Sequence, residues 1–191
     1  MPVKDYVRFN EIEDVLSSLD LLSLVAARVQ EQPSYWKWVI IAAHGALQGA
    51  MVCALDDGAG VGMLDAKSAR KTLEWYDTLR GTMPEGRLAN FKTLLVRCQD
   101  KKRMQDEPLV LTTAQLKDIC KLHEEFRNHF AHFVPMGWRI EKVGLPRIIG
   151  AAIDCIEDLM GCTQALQKLT ENRKRRLLKS IKATRAILVG L

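Results

Sequence analysis

Three of the four histidines of this chain fall within the ten residues His123-Glu124-Glu125-Phe126-Arg127-Asn128-His129-Phe130-Ala131-His132. An imidazole titrates near neutrality and can take or return a proton, while a guanidinium carries a fixed charge and paired donors that suit a phosphate. On a helix of about 100° per residue, Leu116, Ile119, Cys120, Phe126, Phe130 and Phe133 form one apolar arc, and Arg127 falls inside it beside His123. A guanidinium that faces a core is costly unless it is paired or opens onto a cleft, so Arg127 marks either an ion pair or a site. His132 points about 140° away on an ideal helix, but it stands in the last turn before Pro135, where unwinding can turn its ring back towards Arg127.

Other chemistries fit these residues less well. The metalloprotease pattern H-E-x-x-H fails because Arg127 occupies the second histidine position after His123-Glu124. Glu125, His129 and His132 have helical ligand spacing but lack a recognisable further ligand, so no metal and no cofactor are expected. The glycine-rich stretch Asp56–Gly62, followed by Lys67-Ser68, is not a phosphate loop, since Val61 and Ala66 replace the required glycines and a helical pattern precedes it.

Arg127-Asn128-x-x-x-His132, at the end of a helix in a chain of helical period, resembles the Rx4–6H signature of the HEPN superfamily (higher eukaryotes and prokaryotes nucleotide-binding domain). That resemblance implies an all-α, up-and-down helical bundle over about residues 10–170. It implies a metal-independent endoribonuclease, a toxin of a toxin–antitoxin pair or a phage-defence or stress effector. It further implies a homodimer in which two Arg/His motifs face each other across RNA. In that scheme Arg127 clamps the phosphate, His132 is the general acid or base, and Asn128 orients the histidine or the substrate. The physical logic agrees. Attack by a 2′-OH needs a base, an acid for the leaving oxygen and positive charge on the phosphate, and one motif per chain supplies one such histidine. Val134 stands where toxins with a nucleotidyltransferase antitoxin often carry a tyrosine, which weakens the expectation of that form of control by an antitoxin partner. The alternatives are an inactive module that binds RNA or nucleotide, and a structural helical dimer in which Arg127 pairs with an acid such as Asp14 or Glu157.

The elements that position these residues follow from a period near 3.6. Asp5–Gln30 reads as an amphipathic helix ending before Pro33. Ser34 is a candidate cap for a second helix, apolar all round from Trp38 to Leu55 except for His44 and Gln48. These two polar residues are candidates for supporting the site from behind. They also argue for a central buried helix over a membrane span, and the Gly45/Gly49 groove is available for packing in a dimer. Shorter helices are expected over Asp65–Arg80 and Arg87–Cys98, making residues 58–107 a helical insertion. Thr112 or Thr113 caps a strong helix running to about Phe133. A short irregular or hairpin segment follows near 136–143, and from Leu145 a last long helix leads into the C-terminal region. Tyr35, Trp36, Trp38 and Trp138 are candidates for base stacking, with core anchoring as the plainer role.

Charge divides unevenly along the chain. Residues 171–191 hold seven basic residues against one acid, while the other 170 residues sum to −1. This basic helical tail, with Arg173, Lys174, Arg175 and Arg176 at its start, can attract a phosphate backbone, although Leu177, Leu178, Ile181 and Leu188 also suit a solvated amphipathic helix. Length and a hydrophobic content of 48% support one core. The five cysteines have no metal or disulfide spacing and read as reduced core residues, and Lys4-Asp5 interrupts any apolar export signal, so a cytoplasmic protein is expected.

Overall fold

Asn10 opens the first helix: its side chain accepts the backbone N–H of Glu13 at 2.9 Å, and Glu11, Glu13 and Asp14 place negative charge at the positive end of the helix dipole. The computed structural model describes residues 6–132, 135 and 137–191. Helix α1 (Glu11–Ala26) starts later than the apolar stripe alone suggests, because Asn10 satisfies the first orphan donors. Ile12, Val15, Leu16, Leu19 and Leu22 are fully buried along one face.

A short 3₁₀ turn, Pro33–Tyr35, leads into α2 (Trp36–Ala54), and the expected cap Ser34 lies inside that turn without making a capping bond. Helix α2 is the centre of the molecule, packed most extensively against α1. The span Pro33–Ala54 is long and apolar enough to cross a membrane, yet 67% of its most apolar window is buried by the protein itself. Gly45 and Gly49 face α1 within the chain. A Cβ on Gly49 would meet Val15 at 2.8 Å, and one on Gly45 would touch Ser18. The groove expected to serve a dimer is therefore occupied by this chain's own α1.

Residues 58–107 contribute to the core as well as extending it. Helix α3 (Ala66–Thr78) is capped by Asp65, and α4 (Phe91–Cys98) by Asn90. The stretch expected to begin α4 at Arg87 instead runs antiparallel to residues 63–65, with Asp65 N–H bonded to Arg87 O and Ala89 N–H to Met63 O. Arg97 ties this loop down by donating to the carbonyls of Gly62 and Leu64 at 2.8 and 2.7 Å. Phe91, Leu94 and Cys98 of α4 are buried, and α4 packs against α2.

Helix α5 (Thr113–Lys121) begins with a reciprocal cap in which Thr112 and Gln115 satisfy each other's backbone donors. A π-helical stretch, Leu122–Arg127, continues it into the short α6 (Asn128–Ala131). Residues 137–143 are irregular, and among the described residues there is no strand. The single long helix expected from Leu145 is three helices: α7 (Leu145–Met160), α8 (Thr163–Gln167) and α9 (Glu171–Val189). The breaks fall at Gly161 and at Thr170, whose side chain caps α9, and they leave Leu166 exposed where a continuous stripe would bury it. With 64% of the chain helical, the fold is all-α.

All five cysteines are unbonded; four are buried and Cys120 is partly exposed. Burial pushes the thiols of Cys53, Cys98 and Cys155 up to about 12, which keeps them protonated and unreactive.

Candidate functional site

The site is built where α2 passes the π-helical turn. That turn carries a backbone bond from Asn128 N–H to His123 O, one residue longer than the α-helical pattern. The wider turn holds an additional residue, so an ideal 100° wheel loses register beyond Leu122. It presents His123 to α2, where the His44 Nε2 lies 2.9 Å from the His123 Nδ1. Phe91 completes the cluster: its ring stacks on His123 with centroids 4.4 Å apart and on His44 at 4.6 Å.

Both imidazoles are held neutral. Burial, then the neighbouring His123 and Arg127, lower the His44 pKa to about 3. Burial and the Arg127 charge lower that of His123. Sequence spacing placed His123 beside Arg127 but did not connect it to His44, because that contact depends on how α2 crosses the turn.

Arg127 is half-buried and lines a cavity of about 360 Å³ together with Asp14, Ile41, His44, Gln48 and Val52. Its guanidinium donates to the Asn128 Oδ1 at 3.1 Å. Among the described residues it belongs to no ion pair. The partners that a purely structural role would require are otherwise engaged: Glu157 pairs with Arg185 at 2.6 Å, and Asp14 shares the cavity without pairing with Arg127. Asp14 is exposed at the cavity mouth, and the partial desolvation of its carboxyl raises its pKa from the ordinary value. Nearby Glu11 is held low by its bond to Lys168, which also binds Asp56. Gln48 lines the same cavity, and its amide makes no hydrogen bond among the described residues. The structure thus gathers Arg127, His44 and Gln48 around one cavity and adds Asp14, which the sequence offered only as an ion-pair partner for Arg127.

His132 is placed differently. It ends α6 with its backbone leaving the helix at φ −125° and ψ 52°, its N–H bonded to Asn128 O at 2.9 Å, and its side chain exposed. It does not line the cavity that Arg127 enters. Trp138 packs across this end of the helix, with ring centroids 4.9 Å from both His129 and Phe130. Trp36 is a core residue, Tyr35 packs against the core, and Trp38 is exposed beneath the Lys37 ammonium. Phe133 and Val134 lie outside the described residues.

The basic C-terminal segment docks against the body. Leu177 and Ile181 are buried, and α9 packs on α1 and α7. Arg173 binds Glu13 at 2.8 Å, and Arg176 spans Glu13 and Asp20 at 2.9 and 2.6 Å. Lys174 pairs with Glu171, Arg175 bonds Asn172, and Lys179 and Lys182 are exposed outside any ion pair among the described residues. Half of the four-residue basic start is thus spent on attachment, while the outward face keeps Arg175, Lys179 and Lys182.

Among the described residues, no group of three or more His, Cys, Asp or Glu side chains is placed to hold a metal ion. No protein-family model, curated protein or solved structure matches this chain.

Proposed function

We propose that the protein is a metal-independent endoribonuclease of HEPN type that cleaves RNA at a site shared by two copies of the chain. The observation that carries this reading is Arg127: a half-buried guanidinium at a cavity, steadied by Asn128 and belonging to no ion pair among the described residues. A cation held this way without an ion-pair partner suits an anionic ligand, and its planar donors suit the oxygens of a phosphodiester. The RNA 2′-oxygen attacks phosphorus as a histidine removes its proton, and a second histidine protonates the departing 5′-oxygen. The products are a 2′,3′-cyclic phosphate and a 5′-hydroxyl. His132, exposed five residues beyond Arg127, serves one of these proton transfers, and a second His132 from a two-fold partner serves the other. Arg127 stabilises the charge that develops on the phosphate.

The test is cleavage of a fluorescent RNA by the purified protein, with and without EDTA, beside His132→Ala. Cleavage that survives EDTA and is lost in His132→Ala supports the enzyme. A second reading, RNA binding without cleavage, draws on the separation of His132 from the Arg127 cavity. RNA binding with no cleavage by the intact protein would select it.

A further inference from the structure

We infer that the cavity between α1, α2 and the π-helical turn is a guanine-binding subsite, with Asp14 and Gln48 reading the base and Arg127 holding its phosphate. This rests on the RNA reading of Arg127 and specifies which base lies beside the scissile phosphate.

Two polar side chains in the cavity, the exposed Asp14 and the partly buried Gln48, have no partner within the protein among the described residues. The Asp14 side chain makes no hydrogen bond or ion pair among the described residues, nor does the Gln48 amide, and both line the cavity. The acids around them are otherwise committed: Glu11 to Lys168, and Glu13 to Arg173 and Arg176. Asp14 is exposed, and its Oδ2 lies over the backbone of Gly49, the residue next to Gln48, at 3.2 Å from where a Cβ on that glycine would stand. The carboxylate from α1 and the carboxamide from α2 line the same cavity. A carboxylate with no donor on the protein is open to a ligand that supplies one.

A carboxylate only accepts, and it accepts best from two parallel N–H groups. Guanine alone among the four RNA bases offers that pair, its N1–H and its exocyclic N2–H, with the O6 acceptor beside them for the Gln48 amide. Adenine, cytosine and uracil each set an acceptor where the second carboxylate oxygen would need a donor. Ile41, Val52 and Leu88 give the cavity apolar walls for the faces of a base, and about 360 Å³ is within the range of small-ligand sites. His44 remains neutral beside it and adds no competing charge.

The experiment is isothermal titration of the intact protein with guanosine, adenosine, cytidine and uridine 3′-monophosphates, for the natural chain, Asp14→Asn and Arg127→Ala. The guanosine nucleotide is expected to bind at least about tenfold more tightly than the other three, the discrimination typical of one bidentate contact. Asp14→Asn, nearly identical in shape, should erase that preference without changing the melting temperature by more than a few degrees. Arg127→Ala should weaken all four nucleotides while leaving the preference among them. Equal binding of the four, or a preference unchanged in Asp14→Asn, overturns the subsite. Selective guanosine binding by a protein that does not cut RNA would reject the ribonuclease and keep the subsite. Cleavage with no preference for guanosine would do the reverse.

Discussion

The imidazoles of His44 on α2 and His123 on the π-helical turn are joined by a 2.9 Å contact, and the turn that carries His123 also carries Arg127. A hydrogen bond between two neutral imidazoles needs one ring to donate and the other to accept. Both are neutral here because burial and the neighbouring guanidinium disfavour a further positive charge. The pair locks the segment bearing Arg127 onto the central helix.

This relationship sets a pH dependence of stability. The folded pKa of His44 is about 3, against about 6.5 in an unfolded chain, so below neutrality the unfolded state binds more protons. The stabilising contribution of a neutral His44 is complete above about pH 6.5 and is lost as pH falls towards about 3, by at most roughly 1.4 kcal/mol per pH unit. Urea unfolding at pH 7, 6, 5 and 4 should show a shallower decline for His44→Phe than for the natural chain, because a phenyl ring keeps the stack on Phe91 and cannot be protonated. Parallel declines would show that His44 does not carry the effect.

Arg127 tests the phosphate role separately from the fold. Arg127→Lys keeps the charge and loses the planar, paired donors, so RNA cleavage should fall by about 10²- to 10³-fold. The melting temperature should stay within a few degrees, since the residue makes one hydrogen bond, to Asn128, on a half-buried surface. Cleavage by Arg127→Lys at the natural rate would remove the phosphate clamp from the mechanism.

Gly49 is a point of close approach between α1 and α2. A methyl group there would lie 2.8 Å from Val15 Cγ2 and 3.2 Å from Asp14 Oδ2, so the Val15 side chain or the spacing of the two helices must shift to admit it. Overpacking of this kind costs about 1–3 kcal/mol, partly offset by about 1 kcal/mol of improved helix propensity. Chemical denaturation of Gly49→Ala should therefore show a net loss of up to roughly 2 kcal/mol. A stabilised variant would mean that the seam is looser than these distances state.

The C-terminal basic residues divide into two groups with different expected behaviour. Arg176 bridges Glu13 and Asp20 at the α1–α9 seam, so Arg176→Ala should cost on the order of 1 kcal/mol of stability, given its partial exposure. Arg175, Lys179 and Lys182 face outward, and replacing all three with alanine should leave stability nearly unchanged. If RNA lies along this face, the triple variant should flatten the salt dependence of RNA binding by close to one unit for each phosphate that is no longer neutralised. An unchanged salt slope would assign these charges to solvation alone. Removing residues 171–191 outright would confuse the two effects, since Leu177 and Ile181 are part of the core.

Much of the architecture is legible in the chain itself. Hydrophobic period and cap chemistry mark the helical class, the buried central helix and the helix starts at Asp65 and Thr112, because these are local properties of spacing and side-chain type. Local pattern also singles out Arg127, His44 and Gln48, which are polar residues at positions where the surrounding stripe is apolar. It cannot show that the Gly45/Gly49 groove is filled by α1, that the helix from Leu145 breaks at Gly161 and Thr170, or that Arg176 turns inward to Glu13 and Asp20. Each of those outcomes depends on which distant segment packs alongside. The same is true of the site: the π-helical turn shifts the phase of the residues after Leu122, and only the crossing of α2 brings His44 to His123 and Asp14 to the cavity of Arg127. A sequence thus declares which side chains are costly to bury, whereas tertiary packing decides which of them meet, because their partners lie many residues away and no local period encodes the distance between them.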